Sequence, residues 1–195
     1  MHNIEPYYHW RDYYIASEDE FSPFYNTDYD EFRYSTKIYN YYIHPQWDSI
    51  ESSTLFLKVL FVDYSAGSCV IELIGEWNDC LHNDIMLLKQ NIADSLIFEK
   101  VNKFIIIGEN ILNFHGSDDC YYEEWANECE DGWVALINFR EHVIEEMKAC
   151  NINTFFHLNT DLNNIFWQQF TPSNLCNYIK DIVELNKHNL LINNI

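Results

Sequence analysis

The chain has 195 residues, which suits one domain or one domain with a long extension. Hydrophobic residues make up 48% and aromatics 17%, ample for a core, while 31 acids against 11 bases give a formal net charge of −20. That charge, with the bases scattered along the chain, argues against nucleic-acid phosphates and anionic membrane surfaces as partners, because both are held by Lys and Arg.

The start, MHNIEPYYHW, has no basic stretch leading into an apolar one, so no signal peptide is expected. The longest apolar run, LFLKVLFV, is broken by Lys58 and is far short of the ~20 residues that span a bilayer. A cytoplasmic protein is expected. The six cysteines (Cys69, Cys80, Cys120, Cys129, Cys150, Cys176) include no C-x-x-C pair, which disfavours a zinc ribbon. In a reducing compartment they read as buried thiols acting as small hydrophobes.

Residues 1–53 form an acidic extension, and ten of the fourteen tyrosines fall before position 45. So aromatic a segment is expected to be ordered against the main domain, rings inward and hydroxyls at water. It either covers a sheet face or edge or forms a tyrosine-rich interface, for instance with a second copy in a homodimer. IYNYYI, Ile38 to Ile43, has the aromatic and β-branched content of a strand, and His44-Pro45 breaks it.

From Thr54 the pattern sharpens. TLFLKVLFV and CVIELIGEW read as a β-hairpin around YSAGS, with Gly67 free to take a positive φ. Leu81, Ile85, Leu88, Ile92 and Leu96 then mark one face of an amphipathic helix. KFIIIGENI reads as a strand buried on both faces. A helix through YYEEWANEC follows, ended at Asp131-Gly132, with Tyr121 and Trp125 facing the sheet. GWVALINF is a second buried strand, REHVIEEMKACN a helix, and INTFFHL a short strand. Thr171 caps a last helix with Pro172 in its first turn, and Leu175, Ile179, Ile182 and Val183 supply its apolar face.

The order is β-β-α-β-α-β-α-β-α after the aromatic extension. It implies an α/β fold: a mixed four- to five-stranded sheet with right-handed crossover helices and an antiparallel edge.

Three stretches resemble the STAS domain, the fold of bacterial anti-sigma-factor antagonists and of the cytoplasmic tails of sulfate transporters. IELIGEWND, Ile71 to Asp79, resembles the family's strand and acidic turn before its first crossover helix. KFIIIGENILNFHGS resembles its strand running into a loop with a serine at the next helix. GWVALINFREHVIEEMKACNINTFF resembles its strand-helix-strand ending. The resemblance covers about Leu55 to Ile182. It implies a protein-protein switch, with Ser117 in the place of the serine that partner kinases phosphorylate. His115, Gly116, Ser117 and Asp118 stand where the family has aspartate-serine-serine-glycine. Asp118 and Asp119 would repel a phosphate on Ser117, and the helix N-terminus would offset this in part.

Two readings of NFHGSDDCYYEEW, Asn113 to Trp125, follow. In the first, Ser117 or Asp118 caps the helix, Asp119, Glu123 and Glu124 favour its dipole, and Gly116 supplies the bend. Ser117, Asp118, Asp119 and Glu123, with Glu76 and Asp79 from the neighbouring turn, then form a binding surface of a non-enzymatic regulatory domain whose partner is another protein. In the second, His115, Asp118 and Asp119, joined by Glu76 and Asp79, ligate manganese, iron or zinc in a hydrolase or lyase. Ser117 lacks the G-x-S-x-G context, and the acids around Cys120 oppose a thiolate. The five glycines form neither G-x-G-x-x-G nor a P-loop, so no nucleotide and no other cofactor is expected. His142 reads as a surface residue, His157 as a partly buried one, and Glu141, Glu145 and Glu146 as a solvated helix face.

Overall fold

The computed structural model describes residues 4–193, with side chains described to residue 188. In the extension, the expected strand Ile38 to Ile43 folds back on itself. β1 (Lys37–Ile38) and β2 (Tyr41–Tyr42) pair antiparallel around Tyr39, whose φ of 53° makes the reversal. β3 (Asp48–Ser49) then joins the main sheet, antiparallel to β4 (Leu55–Asp63). β4 and β5 (Ser68–Asn78) make the expected hairpin, turned at Gly67 with φ 65°. β6 (Lys103–His115) lies parallel to β5, and β7 (Trp133–Ile137) parallel to β6. The result is one mixed sheet in the order β3-β4-β5-β6-β7.

The expected crossover helix is built in pieces: α1 (Asp79–His82), α2 (Asp84–Leu88), a π-turn (Lys89–Ala93) and α3 (Asp94–Phe98). Ile85, Leu88, Ile92 and Leu96 are buried as their spacing requires. The wider π-turn keeps residues four apart on the core line. Leu81 departs from that face and is 77% exposed, because Asn83 (φ 52°) breaks the helix and turns α1 away. α4 (Cys120–Glu128), α5 (Glu141–Ala149) and α6 (Pro172–Asn193) complete the fold. At the foot of α6 the Asn174 N–H donates to Thr171 Oγ1 at 3.4 Å, the expected cap. α4 ends on Glu130, the residue that takes the left-handed conformation (φ 48°). Gly132 has a different role: a Cβ there would lie 1.7 Å from the carbonyl oxygen of Asn102, where the chain ends meet before β6 and β7.

The expected strand INTFFHL shrinks to a single parallel bridge between His157 and Ala135. The His157 N–H donates to Val134 O at 2.8 Å, and the Leu136 N–H to His157 O at 3.0 Å. The chain cannot stay on that line. Leu158 packs into the core on one sheet face and Leu162 into the core on the other, so the segment must cross the sheet edge between them.

The first core lies under α2, the π-turn, α3, α4 and α5; the second lies under α6 and the 162–167 segment. The extension reaches both. Trp10 packs edge-on against Trp167 with ring centroids 5.4 Å apart, and its Nε1 donates to Phe170 O at 3.1 Å. Ala16 and Ile50 enter the first core. Ile38, Ile43 and Trp47 form a third cluster with Phe56 and Ile74. Residues of the tyrosine-rich segment thus pack against the sheet around β4 and β5.

Candidate functional site

The β6–α4 loop and the turn after β5 sit side by side because His115, at the end of β6, lies opposite Asn78 at the end of β5. The Cys80 thiol then donates to the Gly116 carbonyl at 2.8 Å, latching one loop to the other. The N-cap of α4 is Asp119, without a side-chain cap bond, rather than the expected Ser117 or Asp118; Asp118, one residue earlier, accepts from the Cys120 N–H through Oδ1 at 2.9 Å. That bond holds the Asp118 carboxyl below the usual carboxylate range. Ser117, Asp118, Asp119 and Glu123 are exposed. The buried face of α4 carries Tyr122, Trp125 and Cys129; Tyr121, expected inside, is only half-buried. Lys89, buried beneath α4, binds Asp94, Glu124 and Glu128 at 2.8, 2.5 and 2.9 Å and so fixes α4 to the crossover helix. Burial alone would lower its pKa, but the bonds to the three acids raise it.

Glu76 and Asp79, expected to extend the exposed surface, are 5% and 4% exposed and form its scaffold instead. Asp79 Oδ1 accepts from Trp77 Nε1 at 3.0 Å and from the Ile85 N–H at 2.9 Å, and its Oδ2 accepts from the Tyr122 hydroxyl at 2.6 Å. Burial pushes its carboxyl up to about 6, although those donors pull the other way. Glu76 accepts from the Tyr39 hydroxyl and from Asn78 Nδ2. These acids are inside because β5 is buried along its whole length and runs directly into α1.

The ion-pair contacts of His115 are with glutamates. Its Nε2 lies 3.2 Å from Glu76 and its Nδ1 3.9 Å from Glu146, while Asp118 spends Oδ1 on its own helix. The expected ligand set of His115, Asp118 and Asp119 is not assembled, and among the described residues no group of three or more His, Cys, Asp or Glu is placed to hold a metal ion. Desolvation, then the bond to Asp118, raises the Cys120 thiol, as its acidic surroundings imply. His142 is exposed, its Nε2 2.9 Å from Leu112 O. Burial lowers His157 to about 4, with Lys187 adding to the shift.

A second feature was not anticipated from the sequence. A cleft of about 750 Å³ opens beyond the end of β7, between α5 and the 160–168 segment. Ligands of α/β sheets gather outside the carboxyl ends of strands. Asn138, the residue after β7, is left-handed (φ 56°) and clamps the cleft. Its Oδ1 accepts from the Ile165 N–H at 2.9 Å, and its Nδ2 reaches Ile165 O at 2.8 Å and Glu109 Oε1 at 2.7 Å. Glu109 Oε1 also accepts from Trp167 Nε1 at 2.7 Å. Glu141 and Glu145, read from sequence as a solvated face, line this cleft. The signal available in sequence was one acid, Glu109, closely following the apolar run Phe104 to Ile107.

No helix among the described residues is long and apolar enough to cross a membrane. No protein-family profile matches the chain, and no curated protein matches it. Among solved structures the chain is similar to a protein of Thermotoga maritima described as a candidate anti-sigma factor antagonist, with 14% identity, a TM-score of 0.40, and coverage of 58% of this chain and 88% of that one. That protein is of the kind to which the sequence motifs were compared, and at this identity no residue role passes from it to this chain.

Proposed function

We propose that the chain is a protein-interaction domain that docks a basic partner protein through the exposed acids Asp118, Asp119 and Glu123 at the start of α4. The observation that carries this reading is the rigid seat under those acids. The Cys80–Gly116 latch, the Tyr122–Asp79 bond and the three-acid grip of Lys89 all hold the loop and helix to the sheet. An interface fixed before contact loses less entropy on binding. The net charge of −20 supplies long-range attraction for a basic surface, and complementary charge speeds and orients encounter. Ser117 is exposed at the same tip, where a phosphate would add to the negative charge.

The test is affinity capture with the full chain at low salt, followed by binding measurements on the purified captured protein. The reading expects a Lys/Arg-rich partner whose affinity falls as salt rises and is lost in the triple variant Asp118→Lys, Asp119→Lys, Glu123→Lys. A partner bound equally well by that variant would refute it. Intact mass of the chain from its native host, against Ser117→Ala, reads modification of the serine.

A further inference from the structure

We propose that the cleft beyond β7 is a separate binding site for a guanidinium group, held by Glu109, Glu141 and Glu145 against the exposed ring of Phe166. The inference rests on the cleft alone and stands apart from the docking surface on α4.

The volume of about 750 Å³ lies in the range of small-ligand sites, roughly 300–1,000 Å³. The wall carries three carboxylates, and its one ammonium is Lys148. None of these four groups is in an ion pair among the described residues. Glu141 and Glu145 stand one helical turn apart on α5, where like charges repel each other. The donors that reach Glu109 are all neutral: Trp167, Asn138 and Gln168. They fix Oε1 tightly but leave Oε2 with a single 3.4 Å contact from Gln168. Asn163, also on the wall, has a side-chain oxygen shut off from water with no hydrogen-bond partner. Carboxylates thus outnumber the single ammonium on this wall, so a fitting ligand brings positive charge and N–H donors together.

Guanidinium fits better than a compact ammonium. Its planar fork can meet two carboxylate oxygens at once, and its weakly hydrated face stacks on an aromatic ring. Phe166 is 72% exposed beside these acids, which leaves its ring open to a ligand in the cleft. The rigid member of the set is Glu109, held by Trp167 and by Asn138; the adjustable members are the two exposed glutamates of α5.

The same chemistry could arrive on a free metabolite or on an arginine of another protein, so two probes are used on the full chain by calorimetric titration: agmatine and a blocked Gly-Arg-Gly peptide. The expected result is one saturable site for at least one probe, weakened roughly tenfold or more in Glu141→Gln/Glu145→Gln. These glutamates are exposed, so the double variant keeps the fold; Glu109→Gln, at the anchored position, is the second test and is checked for folding by circular dichroism. Binding of the peptide points to a protein's arginine, and binding of agmatine alone to a free ligand; either supports the site. The proposal is overturned if neither probe saturates, or if the folded variants bind as the parent does. The lysine variants of Asp118, Asp119 and Glu123 should leave the titration unchanged, which separates this site from the docking surface.

Discussion

The hydroxyl of Tyr122 donates to Oδ2 of Asp79 across 2.6 Å, joining α4 to the turn that ends β5. Both groups are buried, and the carboxylate receives its other bonds from Trp77 and Ile85. Tyr122→Phe keeps the ring stacked on Trp77 but removes one donor from a buried acid. We expect a loss of about 1–3 kcal/mol in urea unfolding, the usual cost of leaving a buried polar group short of a partner. An unchanged midpoint would show that the bond does not tie the helix down.

Stability should fall as pH rises through the range in which two buried acids ionise. Burial lifts Glu72 to about 7 and Asp79 to about 6, above their values in an unfolded chain. The folded state therefore holds more protons over that interval. Its advantage is complete below the unfolded pKa values near 4, and it is lost as each folded pKa is passed. Glu72→Gln keeps an acceptor for the Tyr7 N–H and removes the ionisation. It should stabilise the protein by on the order of 1–3 kcal/mol at about pH 8, with the gain fading toward about pH 4. A gain of equal size at both pH values would contradict the assignment.

Gly132→Ala is expected to be severe. The added methyl would overlap the Asn102 carbonyl at 1.7 Å, and that same oxygen accepts the Trp133 N–H that starts β7. Neither backbone segment can yield without breaking the entry to the sheet, so a loss of roughly 3–5 kcal/mol or failure to fold should follow. Thermal denaturation measures it, and a melting point near that of the parent would show that the contact relaxes.

The parts of this fold that were legible in sequence are those whose pattern is local. The hairpin around Gly67, the buried run of β6 and the start of α6 at Pro172 follow from alternation, apolar runs and cap residues. The parts that were not legible depend on what lies opposite. INTFFHL has the composition of a strand, but Leu158 and Leu162 belong to cores on opposite sheet faces, and no local pattern encodes that crossing. Tyr121 and Tyr122 are equally apolar; Tyr122 is inside because Asp79 waits there for a hydroxyl. Glu76 and Asp79 read as exposed turn acids, yet β5 carries them under the extension and α4. Asp118, Asp119 and Glu123 are exposed at the start of α4, a boundary that the local pattern of YYEEWANEC marks. The cleft stayed hidden because its wall is assembled from β6, α5 and the 160–168 segment, which share no motif.

The most direct test of the docking surface is site-specific photocrosslinking in the native host, with the crosslinker at Ser117 in one protein and at the exposed Tyr178 on α6 in another. The account predicts a defined adduct with a basic protein from position 117, absent from position 178, and abolished when Asp118, Asp119 and Glu123 are all changed to lysine. The same adducts from both positions, or an adduct at 117 that survives the charge reversal, would contradict it.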